Sequence, residues 1–253
     1  MKKKLAPLAA LLVLVSSPVF SAGQQSIAGQ PVTKTVPSQK QRSILIVDSA
    51  AERIPNLDVL KKEIRQYHDC TCKCGCYAHD MDVQADRAIA FLRYRVTHRR
   101  PGERLAMVLD IDETTLSNYQ ELRDADFAYY KPVFDAWVGA AKAPAIPSTL
   151  RLYKEAQHLG VNAFFITGRP ESQRAVTERN LSEQGFQNWQ QLILRPSSTD
   201  AETAQLFKSA SRAQIVAQGY KIVLNVGDQW SDLNGKPEAE FSVKYPDPFY
   251  FLP

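Results

Sequence analysis

The stretch that decides the fold is Met107-Val108-Leu109-Asp110-Ile111-Asp112-Glu113-Thr114-Thr115. An apolar run ends here in two aspartates, and two threonine hydroxyls follow. Because side chains two residues apart in an extended segment point the same way, Asp110 and Asp112 should face one site at the end of a buried strand. Ligands of α/β proteins bind at such strand ends. One carboxylate can act as a nucleophile and the other as a proton donor, the two roles that phosphoryl transfer through an aspartyl-phosphate requires.

A pair of aspartates with this spacing also begins a calcium-binding loop. Such a loop needs a glycine at its sixth position and a glutamate at its twelfth. Counting from Asp110, the glutamate is present as Glu121, but Thr115 stands at the glycine position. The apolar residues 105–109 also predict a buried strand, not the helix that leads into a calcium loop. The motif therefore favours catalysis over calcium binding.

Strand and helix patterns alternate along the rest of the chain. Apolar runs predict strands at residues 105–109, 161–166, 191–194 and 221–226, and amphipathic spacing predicts helices at 57–67, 80–95, 148–159, 171–184 and 204–218. Such alternation is typical of the α/β class, with a mostly parallel sheet covered by helices on both faces. The aromatic-rich insert at 118–146 is too long for a plain loop, and we expect it to form a small cap over the site. Its aromatic side chains either line a substrate pocket or pack the cap on the core.

Polar side chains also follow the other predicted strands. Thr167 and Gly168 follow the second strand, where a hydroxyl and a glycine amide can hold phosphate oxygens at a helix N-terminus. Asp228 and Asp232 follow the fourth strand, and with Asp110 they would form a site of hard oxygen ligands that suits Mg²⁺. Each of these residues has an ordinary alternative, because threonine and aspartate also cap helices.

Lys208 lies on the predicted helix before the fourth strand. A lysine at that place can neutralise both a nucleophilic carboxylate and an incoming phosphate. A single lysine on a helix is more often a solvated surface residue, so this assignment is the weakest on physical grounds.

Together these motifs resemble those of phosphatases of the haloacid-dehalogenase (HAD) superfamily. Within it, the chain is similar to the acid phosphatases that include plant vegetative storage proteins and secreted bacterial enzymes of classes B and C. The resemblance extends over roughly residues 44–253 and implies a HAD-like parallel sheet with a small, mainly helical cap built from about 44–100 and 118–146. It rests on Leu109-Asp110-Ile111-Asp112-Glu113-Thr114, Ile166-Thr167-Gly168-Arg169, Lys208-Ser209 and Gly227-Asp228-Gln229-Trp230-Ser231-Asp232-Leu233.

The resemblance implies a role for each matching residue. Asp110 would be the nucleophile, and Asp112 would protonate the leaving alcohol and then activate water. Thr167 and the Gly168 amide would bind the phosphoryl oxygens, and Lys208 would stabilise the charge on the nucleophile and the phosphate.

The resemblance also implies a magnesium cofactor. The Asp110 carboxylate, the Asp112 backbone carbonyl and Asp228 would hold the ion, with Asp232 supporting it through water or directly. The expected function is a secreted magnesium-dependent acid phosphatase that hydrolyses phosphomonoesters. Two alternatives stay open: a phosphotransferase on the same fold, and a non-catalytic binding or metal-sequestering protein.

The N-terminus has the three parts of a secretory signal. Lys2–Lys4 are the charged part, residues 5–15 the apolar part, and residues 16–22 hold small residues near a cleavage point. We expect a cleaved signal peptide at 1–21, a flexible leader at 22–43 rich in Gln, Ser, Thr and Gly, and export to the periplasm or medium. The apolar part is too short for a stable membrane anchor.

Charge excludes one class of partner. The full chain has a formal charge of +4, and removing Lys2, Lys3 and Lys4 leaves +1. That balance gives no reason to expect binding to a nucleic-acid polymer or a membrane. The expected partner is a small phosphomonoester substrate. The sequence is compatible with a homo-oligomer and does not define one.

All four cysteines fall between Cys70 and Cys76, at alternate positions. In an exported protein, two disulfides are expected, with three connectivities open. Pairs two residues apart would be strained. The alternative is a soft-metal site of thiolates with His68 or His79. A fully extended run would spread the sulfurs too far apart for one ion, and the compartment favours disulfides.

Overall fold

The computed structural model describes residues 54–72, 75–199 and 201–252. The expected signal peptide, the leader and the start of the domain at residue 44 lie outside the described residues. Within the described ranges, none of the helices combines the length and apolar character needed to cross a membrane.

The described residues form one parallel sheet. Its strands are β1 (Arg104–Leu109), β2 (Asn162–Pro170), β3 (Gln191–Arg195), β4 (Tyr220–Gly227) and β5 (Phe241–Lys244). The strand order is β3-β2-β1-β4-β5, and every neighbouring pair is parallel. The predicted α/β class is therefore confirmed. The sequence did not predict β5, because its 4 residues form no apolar run and it is defined by pairing with β4.

Eight α-helices are described. They are α1 (Leu57–Asp69), α2 (Tyr77–Thr97), α3 (Tyr119–Asp124), α4 (Lys131–Ala140), α5 (Pro147–His158), α6 (Arg174–Glu183), α7 (Ala204–Ala217) and α8 (Trp230–Leu233). The five predicted helices are all present, with shifted ends. The aromatic-rich insert contains α3 and α4, of which α4 begins with Pro132 in its first turn, where proline is well tolerated.

One predicted boundary is wrong. The second strand was expected to end at residue 166 and lead directly into a helix, but β2 continues to Pro170, which pairs with Arg195. The next residues form a 3-10 turn, Glu171–Gln173, and α6 begins only at Arg174. Proline disfavours helical backbone in the residue before it, so Arg169 stays extended.

Side chains alternate between the two faces of the sheet along β1, and this alternation places Asp110 on one of them. Met107 and Leu109 belong to the larger buried cluster, on the face covered by α2 and α5. Val108 belongs to a second buried cluster, together with Phe207 of α7. Because side chains alternate along a strand, Asp110 continues the series of Val108 and faces α7.

A buried arginine of α7 holds the segment that follows β4. Arg212 donates hydrogen bonds to the backbone carbonyl oxygens of Asp232 at 2.6 Å, Asn234 at 2.5 Å, Gly235 at 3.0 Å and Pro237 at 2.9 Å. The guanidinium has five N–H donors, and the Arg212 side chain is fully buried. It therefore fixes the backbone that carries Asp232.

We predict that Arg212→Met lowers the free energy of unfolding by about 2–4 kcal/mol, because four backbone carbonyl oxygens, of which that of Asp232 is buried, lose their donor. Urea unfolding followed by circular dichroism measures the change. Arg151→Met is the matched control, since Arg151 is 44% exposed and pairs with Asp82 and Asp86 at the surface. Its loss should change stability by less than about 1 kcal/mol. Equal losses in the two variants would contradict the role given to Arg212.

Candidate active site

The ends of β1 and β4 bring three carboxylates together. The backbone N–H of Asp110 donates to the Val226 carbonyl at 3.0 Å, which extends the pairing of the two strands by one residue. Asp110, Asp228 and Asp232 are all buried, and each offers an oxygen within 4.8 Å of those of the other two. The sequence had grouped these three residues because parallel strands end at the same edge of a sheet.

Lys208 of α7 lies within this group. Its Nζ is 2.7 Å from Asp232 Oδ1, forms a short ion pair with Asp110 Oδ1, and donates to the Ile166 carbonyl at 3.1 Å. Burial by itself would lower the pKa of Lys208, but the carboxylates of Asp110 and Asp232 raise it above its usual value. The lysine is therefore a buried cation, not the solvated residue that a helix position usually implies.

The carboxylates near Lys208 outnumber the cations. Burial raises the pKa of Asp110 to about 7, against the opposing effect of Lys208 and with a further increase from Asp232 and Asp112. Burial also raises the pKa of Asp228 well above its usual value, with added repulsion from Asp110 and Asp232. Burial and the repulsion between the carboxylates therefore both oppose their ionisation unless a further cation is bound. A divalent cation with a preference for hard oxygen ligands, such as Mg²⁺, matches this donor set.

Asp112 faces a different partner. Its carboxylate accepts hydrogen bonds from Arg169 Nη2 at 2.6 Å and Arg169 Nε at 3.1 Å, and from Asn118 Nδ2 at 2.8 Å. Burial would raise the pKa of Asp112, but the Arg169 guanidinium holds it below its usual value. The side chain of Asp112 is not among the three clustered carboxylates, so any contribution to metal binding would come from its backbone carbonyl.

Thr167 and Gly168 lie near the end of β2. Thr167 is buried, and its Oγ1 accepts a hydrogen bond from the Arg169 backbone N–H at 3.1 Å. Gly168 is exposed, and a Cβ at this position would meet no heavy atom within 4 Å. The Gly168 backbone therefore borders open space next to Asp112 and Arg169. Because β2 continues beyond Gly168, the N-terminus of α6 does not supply the helix end that the sequence predicted there.

Sequence reasoning missed several residues that contact the carboxylates. Gln229 Nε2 donates to Asp228 Oδ2 at 2.8 Å and to Asp247 Oδ2 at 2.6 Å, and Thr114 Oγ1 donates to Asp228 Oδ1 at 2.8 Å. Burial raises the pKa of Asp247 to about 6. Gln229 and Thr114 lie inside the recognised motifs and could have been selected as polar neighbours. Asp247 follows the sheet and carries no local signal.

The cysteine segment lies between α1 and α2 in the chain. Cys70 caps the end of α1 and Cys76 caps the start of α2. The sulfurs of Cys70, Cys72 and Cys76 lie within 4.8 Å of one another, so the segment is not fully extended. Lys73 and Cys74 lie outside the described residues, and the pairing of the four cysteines stays a prediction.

Comparison with known proteins agrees with the resemblance seen in the motifs. Residues 32–253 match the family model for the HAD superfamily, subfamily IIIB (Acid phosphatase). Acid phosphatase 1 of Solanum lycopersicum is 43% identical over 148 residues, which are 57% of this chain and 58% of that protein. Stem 31 kDa glycoprotein of Glycine max is 39% identical over 149 residues, which are 57% of this chain and 59% of that protein. The chain therefore spans less than two thirds of the length of these relatives.

A solved structure shares the fold. The class C acid phosphatase from Bacillus anthracis with tungstate bound superposes with a TM-score of 0.63. The match covers 77% of this chain and 86% of that chain, at 21% sequence identity. At this identity the likeness concerns the fold alone.

The Asp232 side chain packs directly against the backbone of Gly227, the last residue of β4. A Cβ at Gly227 would overlap the Cβ, Cγ and Oδ2 atoms of Asp232. Gly227→Ala should displace Asp232 from Lys208 and lower the free energy of unfolding by about 1–3 kcal/mol. Urea unfolding tests this.

Gly139→Ala is the matched control for that prediction. Gly139 lies in α4, and a Cβ there would meet no heavy atom within 4 Å. Alanine in a helix interior should be neutral or stabilise the protein by about 0.5–1 kcal/mol. A Gly227→Ala variant as stable as the wild type would contradict the close packing of Asp232 on this residue.

Proposed function

The chain belongs to the acid phosphatases of subfamily IIIB of the HAD superfamily, and on that premise we propose that it is an exported, magnesium-dependent phosphomonoesterase that acts through an aspartyl-phosphate. One observation carries the proposal. Asp110 is buried at the carboxyl end of β1, in contact with the cation of Lys208 and beside the carboxylates of Asp228 and Asp232. Lys208, together with a divalent cation held by these carboxylates, would offset the repulsion between Asp110 and a phosphate dianion.

The first chemical step is transfer of the phosphoryl group to Asp110. A carboxylate oxygen of Asp110 forms a bond to phosphorus while the bond from phosphorus to the leaving oxygen breaks. The electron pair of the broken bond stays on the leaving oxygen, which takes a proton from Asp112. Thr167 and the Gly168 amide hold the phosphoryl oxygens, and Lys208 neutralises charge on the nucleophile and the transferred group.

Asp112 must carry a proton for this step, and its ion pair with Arg169 opposes that. A phosphate dianion bound next to Gly168 would compete with Asp112 for the Arg169 guanidinium, which binds phosphate and carboxylate in the same bidentate geometry. Binding of substrate would thereby weaken the pairing that keeps Asp112 ionised. In the second step Asp112, now ionised, takes a proton from water as the water oxygen forms a bond to phosphorus. The bond from phosphorus to the Asp110 oxygen breaks, which releases phosphate and restores the Asp110 carboxylate.

Mg²⁺ would be held by the carboxylates of Asp110 and Asp228 and by the Asp112 backbone carbonyl, and it would neutralise charge on the transferred phosphoryl group. Asp232 contributes differently from these ligands. Its Oδ1 pairs with Lys208 at 2.7 Å and its Oδ2 accepts from the Gln229 backbone N–H at 2.9 Å. These two contacts orient Lys208 and the loop that carries Asp228, and Asp232 would support the metal through water or directly.

The proposed substrate is a small-molecule phosphomonoester in the periplasm or medium. Two features of the sequence support this: the N-terminal signal pattern, and a formal charge near +1 once Lys2–Lys4 are removed. Phosphotransfer to an alcohol in place of water uses the same residues, and product analysis distinguishes it from hydrolysis.

Phosphate release from an aryl phosphate by the mature protein tests the proposal. The wild type should be active with Mg²⁺ and inactive with excess chelator, with recovery on adding Mg²⁺. Asp110→Asn should lower the activity by about 10⁴-fold or more, since it removes the nucleophile. Asp86→Asn, at an exposed site in α2, is the control and should retain wild-type activity. An inactive wild type across acid to neutral pH would favour a non-catalytic binding protein instead.

We also propose that the four cysteines of the exported protein form disulfides. The intact mass should increase by four hydrogens on reduction under denaturing conditions. No mass increase, together with copurified zinc or copper, would contradict disulfides and support the thiolate metal site.

A further inference from the structure

Asn118 connects Asp112 and Glu113, the two acidic residues that follow Ile111. It is fully buried, and its side-chain Nδ2 donates to Asp112 Oδ1 at 2.8 Å and to Glu113 Oε2 at 2.9 Å. Its backbone N–H donates to Glu113 Oε1 at 2.6 Å. Asn118 therefore gives Asp112 Oδ1 an uncharged donor beside the Arg169 guanidinium, which donates to the same oxygen.

The orientation of the Asn118 amide is set by the insert. Trp137 of α4 donates from its Nε1 to Asn118 Oδ1 at 2.8 Å. An indole N–H can only donate, so it requires the amide oxygen on its side and leaves the amide NH₂ to face the carboxylates. A reversed amide would place its oxygen against Asp112 and leave the indole N–H without an acceptor.

We infer that Asn118 is a positioning residue for Asp112, and that Trp137 locks Asn118 in the orientation that aims Asp112 at the leaving oxygen. This inference rests on the proposed phosphatase function. When Arg169 turns to the phosphoryl group, the Asn118 amide is the contact that keeps the Asp112 carboxyl in place as it passes its proton to the leaving oxygen. Through Trp137, the helix α4 thus takes part in proton delivery.

A leaving-group series separates this role from a structural one. Dinitrophenolate leaves without a proton, whereas phenolate and alkoxide leaving groups need one, so only the latter depend on the aim of Asp112. We would measure kcat/KM of the mature protein with saturating Mg²⁺ for dinitrophenyl, phenyl and alkyl phosphates. Trp137→Phe keeps an aromatic ring and removes the N–H.

For Trp137→Phe we expect kcat/KM to fall about tenfold for phenyl and alkyl phosphates and less than about twofold for dinitrophenyl phosphate. Trp189→Phe is the matched control, because Trp189 packs edge-to-face on Phe165 with ring centroids 5.9 Å apart. Trp189→Phe should not lower kcat/KM selectively for any of the leaving groups. Thermal unfolding of both variants checks that they are folded. If Trp137→Phe does not fold, Asn118→Ser should give the same selective loss.

The possible results distinguish the positioning role of Asn118 and Trp137 from the phosphatase function itself. A loss that is equal for all leaving groups, or no loss, would overturn the positioning role while leaving the phosphatase function intact. A wild type that releases no phosphate even from dinitrophenyl phosphate would instead overturn the proposed function, and the inference with it.

Discussion

The contact of Lys208 with two buried carboxylates is the interaction on which the rest of the site depends. Burying carboxylates is costly unless each is paired and hydrogen-bonded. The three N–H groups of the Lys208 ammonium meet three acceptors, which are the carboxylates of Asp110 and Asp232 and the carbonyl of Ile166. Asp110 directly follows β1, Asp232 lies in α8 after β4, and Ile166 lies within β2. One side chain therefore joins three neighbouring parts of the sheet edge and leaves an excess of negative charge for a metal.

Helix α7 makes this contact because of its register on the sheet. Lys208 and Arg212 are four residues apart and project from the same face of the helix. Lys208 reaches the carboxylates, and Arg212 holds the backbone carbonyl of Asp232 at 2.6 Å. The same helix thus fixes both the side chain and the main chain of Asp232. A rotation of α7 on the sheet would disturb both contacts together, which makes the site and the packing of this layer inseparable.

The sequence predicted the parallel sheet and the residues at its edge because both depend on local patterns. Asp110, Thr167 and Asp228 each directly follow an apolar run, and parallel strands bring such positions together without further information. The partners Asn118 and Asp247 could not be predicted, since their roles arise only when an insert and a tail fold back onto the strand ends. The place of Lys208 beside Asp110 was expected from the resemblance alone, because helical periodicity does not show which turn of α7 meets the end of β1. The pairing of Arg169 with Asp112 joins residues far apart in the chain, and no spacing encodes it.

The hydrogen bonds of Gln229 tie the carboxylate cluster to a segment beyond the last described strand. Gln229 binds Asp228 and Asp247, and its Oε1 accepts from the Leu252 backbone N–H at 3.1 Å. Asp247 and Leu252 follow β5 in the chain. A chain shortened to end before Asp247 would keep every described strand but lose two of the contacts that hold Gln229 against Asp228.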